Sequence, residues 1–273
     1  MEFNLGDIIK SGREIVESIK DPHDIEDLTK ESMLNVFNQI SNDTKYTPMQ
    51  KLMFFSKYRD LKREKRLVDI LEGAIPFLEK GAKYDAVDED WIADFFDKAS
   101  KISSDEFKTI WSRILAEEIN NPNTISKRLL HNLFLMNKED AENFINLSRF
   151  CFYDRYSDEV YPIIFFREHP SAYEKSRITF AILKALERFS LIECDFESGF
   201  VFKKDTEKVK KYFIYTNHRI EVRAEKIKYG NVQLTSDGRK LFDIIEKHNN
   251  NLILDYTVDI WKKYDYEVNV CQK

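Results

Sequence analysis

Ser126 and Arg128 stand two residues apart at an expected helix start, where a hydroxyl, a guanidinium and free helix amides together suit a phosphate or similar anion. A plainer reading of the same residues is structural: Ser126 caps the helix, and Arg128 pairs with Glu117 or Glu118. The sequence favours this plainer reading. Glu117 and Glu118 cannot chelate together, because adjacent helical side chains point about a hundred degrees apart. Asp88, Glu89 and Asp90 read as capping and solvation. The five histidines, His23, His131, His169, His218 and His248, show no H-x-H or H-E-x-x-H spacing. His131, near Phe134, reads as a partly buried ring with its hydrogen bonds satisfied. There is no Gly-rich phosphate loop and no G-x-S-x-G elbow. Cys151, Cys194 and Cys271 lie too far apart for a zinc knuckle or redox pair and read as reduced thiols of a cytoplasmic protein. No catalytic residue, cofactor or metal is expected.

The elements that would position these residues are mostly helices. Among 273 residues there are only 7 Gly and 6 Pro, which would break or weaken helices, against 33% charged residues. Residues 1–20 have no long apolar run, hence no signal peptide or membrane span, and read as an amphipathic helix through Ile8, Ile9, Ile15, Val16 and Ile19. A turn at Asp21-Pro22 follows. Thr47-Pro48 starts a long helix that Pro76 interrupts. Between 87 and 150 the apolar spacing is helical four times over, with Asp88 or Asp90, Ser103 (boxed with Glu106), Thr124 or Ser126, and Asn137 as caps. Trp91, Phe95, Phe96 and Trp111 then read as core rather than as a base-stacking platform.

From residue 171 the texture changes. A helix face through Ile178, Ile182, Leu183 and Leu186 leads into aromatic and β-branched runs, Phe200-Val201-Phe202, Tyr212 to Tyr215 and Ile220 to Val222. Val232 to Leu234 and a helix capped by Thr235 follow. This order predicts a winged-helix-like module. The fold expected is therefore mainly α: an N-terminal helical region (1–86), a central helical bundle (87–170), a small winged-helix-like α+β module (171–250) and a helical tail (251–273). The formal net charge is −5, which argues against a nucleic-acid coat, yet residues 171–250 hold 16 Lys+Arg against 12 Asp+Glu. If the module bound DNA or RNA, its contacts would be Arg177, Lys184 and Arg188 on helices, with Lys175 beside them, and Arg219, Arg223, Lys226 and Lys228 on or beside the wing.

With these segments in place, the chain resembles the bacterial family known as domain of unknown function 2806. The resemblance rests on Asp90-Trp91-Ile92 with Phe95-Phe96, on Trp111 with Ile114-Leu115-Ala116 and Glu118, and on Pro122 with Ser126, Arg128 and Leu129. Leu234-Thr235 with Gly238 and Leu241 completes it. These cover about residues 60–250 in order. Glu117 departs from the pattern, which has a Gly there. More distantly, the same order is similar to that of abortive-infection alpha proteins. The resemblance brings no established activity or catalytic residue and implies a bacterial protein of mobile elements or phage defence. Three readings stay open. The favoured one is a non-catalytic interaction or sensor component that binds a protein partner, with homo-oligomers also open. The second is a nucleic-acid-binding regulator, and the third an enzyme of unknown type.

Overall fold

A computed structural model describes residues 32–42, 44, 47–168, 173, 176–204, 207–245 and 251–272. The helix expected over 1–20, the Asp21-Pro22 turn, Lys175, His23, His169 and His248 lie outside them. The chain divides into two compact units, one within Met1–Phe134 and the other within Leu135–Lys273.

The first unit is helical. Helix α1 spans Met33–Asn42 and α2 spans Pro48–Ala74. Thr47 and Gln50 close a reciprocal capping box at the start of α2, with Pro48 in its first turn. Pro76 ends α2 in a short 3-10 turn, Ile75–Phe77, as its missing amide requires. Helix α3 (Glu89–Ala99) is capped by Asp88, whose carboxylate accepts the Trp91 amide at 2.8 Å. Helix α4 (Asp105–Asn120) is capped by Ser104, one residue after the expected Ser103. Asn121, at its C-terminal end, opens the turn to α5 (Lys127–Leu135). Trp91, Phe95 and Trp111 form a buried aromatic column with ring centroids 5.3 Å apart at each step. Helices α2 and α4 cross closely where Gly73 faces Ser112. A Cβ on Gly73 would lie 2.5 Å from the Ser112 hydroxyl, which donates to the Ile70 carbonyl at 2.8 Å.

The second unit overturns the mainly α expectation. Helix α6 (Lys138–Ser148), boxed by Asn137 and Asp140, runs into strand β1 (Cys151–Asp154) and then β2 (Val160–Pro162), where a helical bundle was expected. After α7 (Phe180–Arg188) come β3 (Ile192–Cys194), β4 (Phe200–Lys203), β5 (Val209–Tyr215), β6 (His218–Ala224), β7 (Lys226–Gly230) and β8 (Val232–Leu234). Helices α8 (Ser236–Ile244) and α9 (Asn251–Lys263) and a last strand, β9 (Glu267–Gln272), complete the order. The expected helical tail thus ends in a strand. A five-stranded antiparallel sheet, β2-β1-β5-β6-β9, organises this unit, and two two-stranded ladders, β3-β8 and β4-β7, stand beside it. The molecule is α+β, not a helical bundle with a small winged-helix-like appendage. The physical reason is pairing at long range. Cys151–Asp154 and Glu267–Gln272 find partners in the central β5-β6 hairpin, and such partners outweigh local propensity.

One face of the sheet carries Phe152, Phe213, Tyr215, Ile220 and Val222, all buried. Trp261 of α9 stacks on Phe213 at 5.4 Å and meets Phe152 edge-on at 6.2 Å. Lys211, on the same strand as Phe213, pairs with the buried Asp154 at 2.6 Å and lies over the Phe202 ring.

Candidate partner-binding groove

The residues that suggested chemistry in the sequence are largely occupied with holding the fold. Glu118 is 1% exposed, and its carboxylate accepts the backbone amides of Asn123 (2.6 Å), Thr124 (3.1 Å) and Ile125 (2.8 Å), fixing the α4–α5 turn from inside. Burial pushes this carboxyl above its ordinary range, against the pull of those three amides. The Trp91 indole donates to the Ile125 carbonyl at 2.8 Å, so the same turn is held twice. Ser126 caps α5 by accepting the Leu129 amide at 2.9 Å, and the Arg128 side chain is exposed. The acid beside the tryptophan motif therefore serves the turn. In the Leu234-Thr235-x-x-Gly238 segment, Thr235 accepts the Gly238 amide at 3.0 Å and donates to the Ser190 carbonyl at 2.5 Å. A Cβ on Gly238 would fall 1.7 Å from the Leu191 carbonyl oxygen, so only glycine fits there.

The seven basic residues put forward for nucleic acid lie in the second unit on three elements and the turn before one of them. Lys184 pairs with Glu187 at 2.6 Å, Arg223 with Glu221 at 2.5 Å, and Lys228 with Glu168. Arg177 precedes α7 and Arg188 ends it; both are exposed. Arg219 shares the exposed face of β6 with Arg223, and Lys226 opens β7; both are exposed. Arg223 and Lys226 meet in a cleft of about 300 Å³ with Lys208, and Glu225, Asp265 and Glu267 line the same cleft. Three basic groups facing three acidic ones leave little net field for an anion. Cys151 is buried, Cys271 exposed, and burial pushes the half-buried Cys194 thiol up to about 12.

A different surface, in the first unit, stands out by its composition. Helix α2 has 27 residues, about 40 Å at 1.5 Å per residue, and α4 has 16, about 24 Å. Their contact uses the later turns of α2, where Ile70, Leu71 and Ala74 are buried and Asp69 takes Lys108 at 2.8 Å. The stripe that continues from Ile70 and Ala74 towards the helix start, at alternating steps of three and four, passes Leu67, Arg63, Asp60 and Ser56 to reach Met53 and Met49. There it is uncovered among the described residues. Helix α1 lies along these early turns on another side, through the buried Val36 and Tyr58, a Phe37–Phe55 edge contact at 5.7 Å and a hydrogen bond from Lys51 to the Ser41 carbonyl at 2.8 Å.

Between α1 and α2 runs a groove of about 220 Å³ lined by Phe37, Ser41, Lys51, Leu52 and Phe55. Leu34 stands one turn before Phe37 on α1, and Phe37, Leu52 and Leu34 are 49%, 64% and 68% exposed. So many half-exposed large side chains together mark a contact surface, since a scatter of single ones would need no explanation.

The two helices differ in charge. Helix α1 carries none, whereas residues 57–66 of α2 hold Lys57, Arg59, Lys62, Arg63, Lys65 and Arg66 against Asp60 and Glu64. Arg59 pairs with Asp60 at 3.4 Å, while Lys57 and Arg63 form no ion pair among the described residues. Burial first, then the charges of Arg66, Lys108 and Lys65, holds the Lys62 amine below its ordinary value, a sign of crowded positive charge. Counting charge over whole segments hides this stretch; a ten-residue window finds it.

The chain is thus an α+β protein with a helical unit that bears an open apolar groove and a second unit built on an antiparallel sheet. Its residues 50–257 match the model of the family described as protein of unknown function (DUF2806), and the chain belongs to that family. No curated protein and no solved structure matches it. Among the described residues no helix is long and apolar enough to cross a membrane.

Proposed function

We propose that the protein is a non-catalytic interaction component that takes up a partner protein in the α1–α2 groove, and that it serves bacterial defence against phage. One observation carries the first half: the early turns of α2 extend past α4 and keep Leu52 exposed in the groove it lines with Phe37 and Phe55. Helix-in-groove recognition uses surfaces of this kind. The structural duties of Glu118, Ser126, Thr235 and Gly238 support the same reading, since the residues that carry the family likeness are engaged in folding. The link to defence draws on the likeness to abortive-infection proteins.

The test is a plaque assay on a host expressing the wild-type chain or Leu52→Asp. Leu52 is 64% exposed, so the substitution should move stability by no more than about 0.5 kcal/mol. Protection by the wild type and its loss in Leu52→Asp, at equal soluble levels and equal melting temperature, is the expected result. Equal protection by both would remove the groove from the function, and no protection by either would remove the defence link.

A second reading, a nucleic-acid-binding regulator, draws on Arg219, which is exposed on β6 and forms no ion pair among the described residues. A salt-dependent gel shift with duplex DNA or RNA, weakened in Arg219→Ala, would favour it.

A further inference from the structure

The five-stranded sheet has a second face, turned away from Trp261. Residues paired across antiparallel strands share a face, so Lys210 and Tyr212 of β5 lie on it with Glu221 and Arg223 of β6. Arg219 stands on the same face opposite Ile214, and the register extends it onto β9 through Asn269 and Cys271. Arg219, Arg223, Asn269 and Cys271 are exposed, so the sheet is open there. Towards β1, Tyr153 pairs with Ile214 and meets Phe242 of α8 at 5.7 Å, which covers that corner.

Rings and cations alternate on this face. Tyr156, two residues past β1, is 71% exposed and meets Tyr212 edge-on at 5.1 Å. Arg155 lies over the Tyr156 ring at 5.4 Å, and Lys210 over the Tyr212 ring at 4.6 Å. The Arg155 amide donates to the Tyr212 carbonyl at 2.8 Å, which holds the two segments together. Glu221 takes Lys210 at 3.2 Å and Arg223 at 2.5 Å, while Arg219 forms no ion pair among the described residues. Glu267, at the border, is taken by Lys208 at 3.0 Å. Of the acids in the β1–β2 loop, Glu159 acts on Tyr161, whose pair Phe152 lies on the buried face. Even with Asp158 counted beside Glu221, the cations Arg155, Lys210, Arg219 and Arg223 outnumber the acids. Arg219 and Arg223 lie four residues apart on β6, about 13 Å. Charge spread along a strand suits a polyanion better than a single phosphate.

We infer that this open face of the sheet binds single-stranded nucleic acid, with Tyr156 stacking on an unpaired base, Tyr212 bracing it, and Arg155 and Arg219 meeting the phosphates. The inference rests on the nucleic-acid reading above, to which it gives a site and a form of ligand, and it is independent of the α1–α2 groove. A duplex keeps its bases stacked inside and would leave Tyr156 without a partner, whereas every unpaired base has a face to offer a ring. An acidic protein segment would answer the cations and leave the ring unused.

Fluorescein-labelled oligouridine and oligodeoxythymidine of about 12 nucleotides, and a duplex of that length, are titrated with the full chain at about 50 mM salt and read by anisotropy. The single strands should bind more tightly than the duplex, and the stronger of the two names the sugar. Tyr156→Ala should weaken binding about tenfold at an unchanged melting temperature, and Tyr156→Phe should stay within about twofold of the wild type. Arg219→Ala should weaken binding and lower the salt slope by about one. Arg188→Ala, exposed on α7 and off this face, should leave binding within about twofold. The inference is overturned if no single strand binds, if the duplex binds as tightly, or if Tyr156→Ala binds like the wild type. Displacement of the strand by polyglutamate as readily as by unlabelled oligonucleotide would also overturn it, since charge alone would then suffice. Duplex binding that weakens in Arg219→Ala but not in Tyr156→Ala would keep the nucleic-acid reading and discard the stacking face. Failure of every nucleic acid to bind would discard both.

Discussion

Gly238 and Glu187 show how much of the second unit hangs on single atoms. The start of α8 passes so close to the end of α7 that a methyl group on Gly238 would overlap the Leu191 carbonyl, which itself accepts the Thr235 amide at 3.1 Å. Gly238→Ala should therefore cost about 3 kcal/mol or more, read as a drop in the denaturant midpoint, because backbone must move on both sides. An unchanged midpoint would mean the two segments lie further apart than described. Glu187 binds the Lys184 amine at 2.6 Å and the Cys194 amide at 2.9 Å. Burial alone would raise its carboxyl, but those two bonds carry it below its ordinary value. A carboxyl with a lowered folded value adds stability above its unfolded value and loses it as pH falls through the folded one. Glu187→Gln should accordingly flatten the acid side of the stability profile and change little in its shape near neutrality. A parallel, undiminished acid slope in the variant would contradict the assignment.

At the scale of elements, the first unit was the more readable half. Thr47-Pro48, Asp88 (offered with Asp90) and Ser126 (offered with Thr124) mark helix starts there, as Asn137 does in the second unit, because a cap and the helix it serves lie within four residues of each other. Ser103 was one residue off, since Ser104 offers the same hydroxyl. Strands β1, β2 and β9 were missed for the opposite reason. Three to six residues give too short an alternation to be seen; Phe213 and Ile214 of β5 hold β1 as a strand, β1 holds β2, and β6 holds β9. The groove was hidden as well. Leu34, Phe37 and Leu52 have the spacing of core residues, and only the greater length of α2 relative to α4 shows that nothing among the described residues covers them. The sheet itself makes a sharper demand at Trp261, which joins α9 to Phe213 and Phe152. Trp261→Ala should destabilise by about 3–5 kcal/mol, measured by chemical unfolding, and should weaken protection of the β5 and β6 amides from hydrogen exchange. A loss below about 1 kcal/mol would show that α9 is an accessory to the sheet.

Across the whole molecule, the readable part was composition and order: helices first, aromatic and β-branched runs later, with Leu234-Thr235 leading into a helix. The partition between a helical unit and a sheet-based one depends on pairings that no local signal records. The thiols follow from that partition. Cys151 is enclosed beside α6, Cys194 is held protonated at ordinary pH, and Cys271 rides exposed on β9 at the rim of the sheet. Air or a mild oxidant therefore has one exposed thiol to act on. A non-reducing gel of aged protein should show a single covalent doublet of the chain that collapses with dithiothreitol, no compacted monomer, and no doublet from Cys271→Ser. The same geometry offers a ready handle: one dye or one spin label per chain, placed without engineering, on the edge strand of the sheet-based unit.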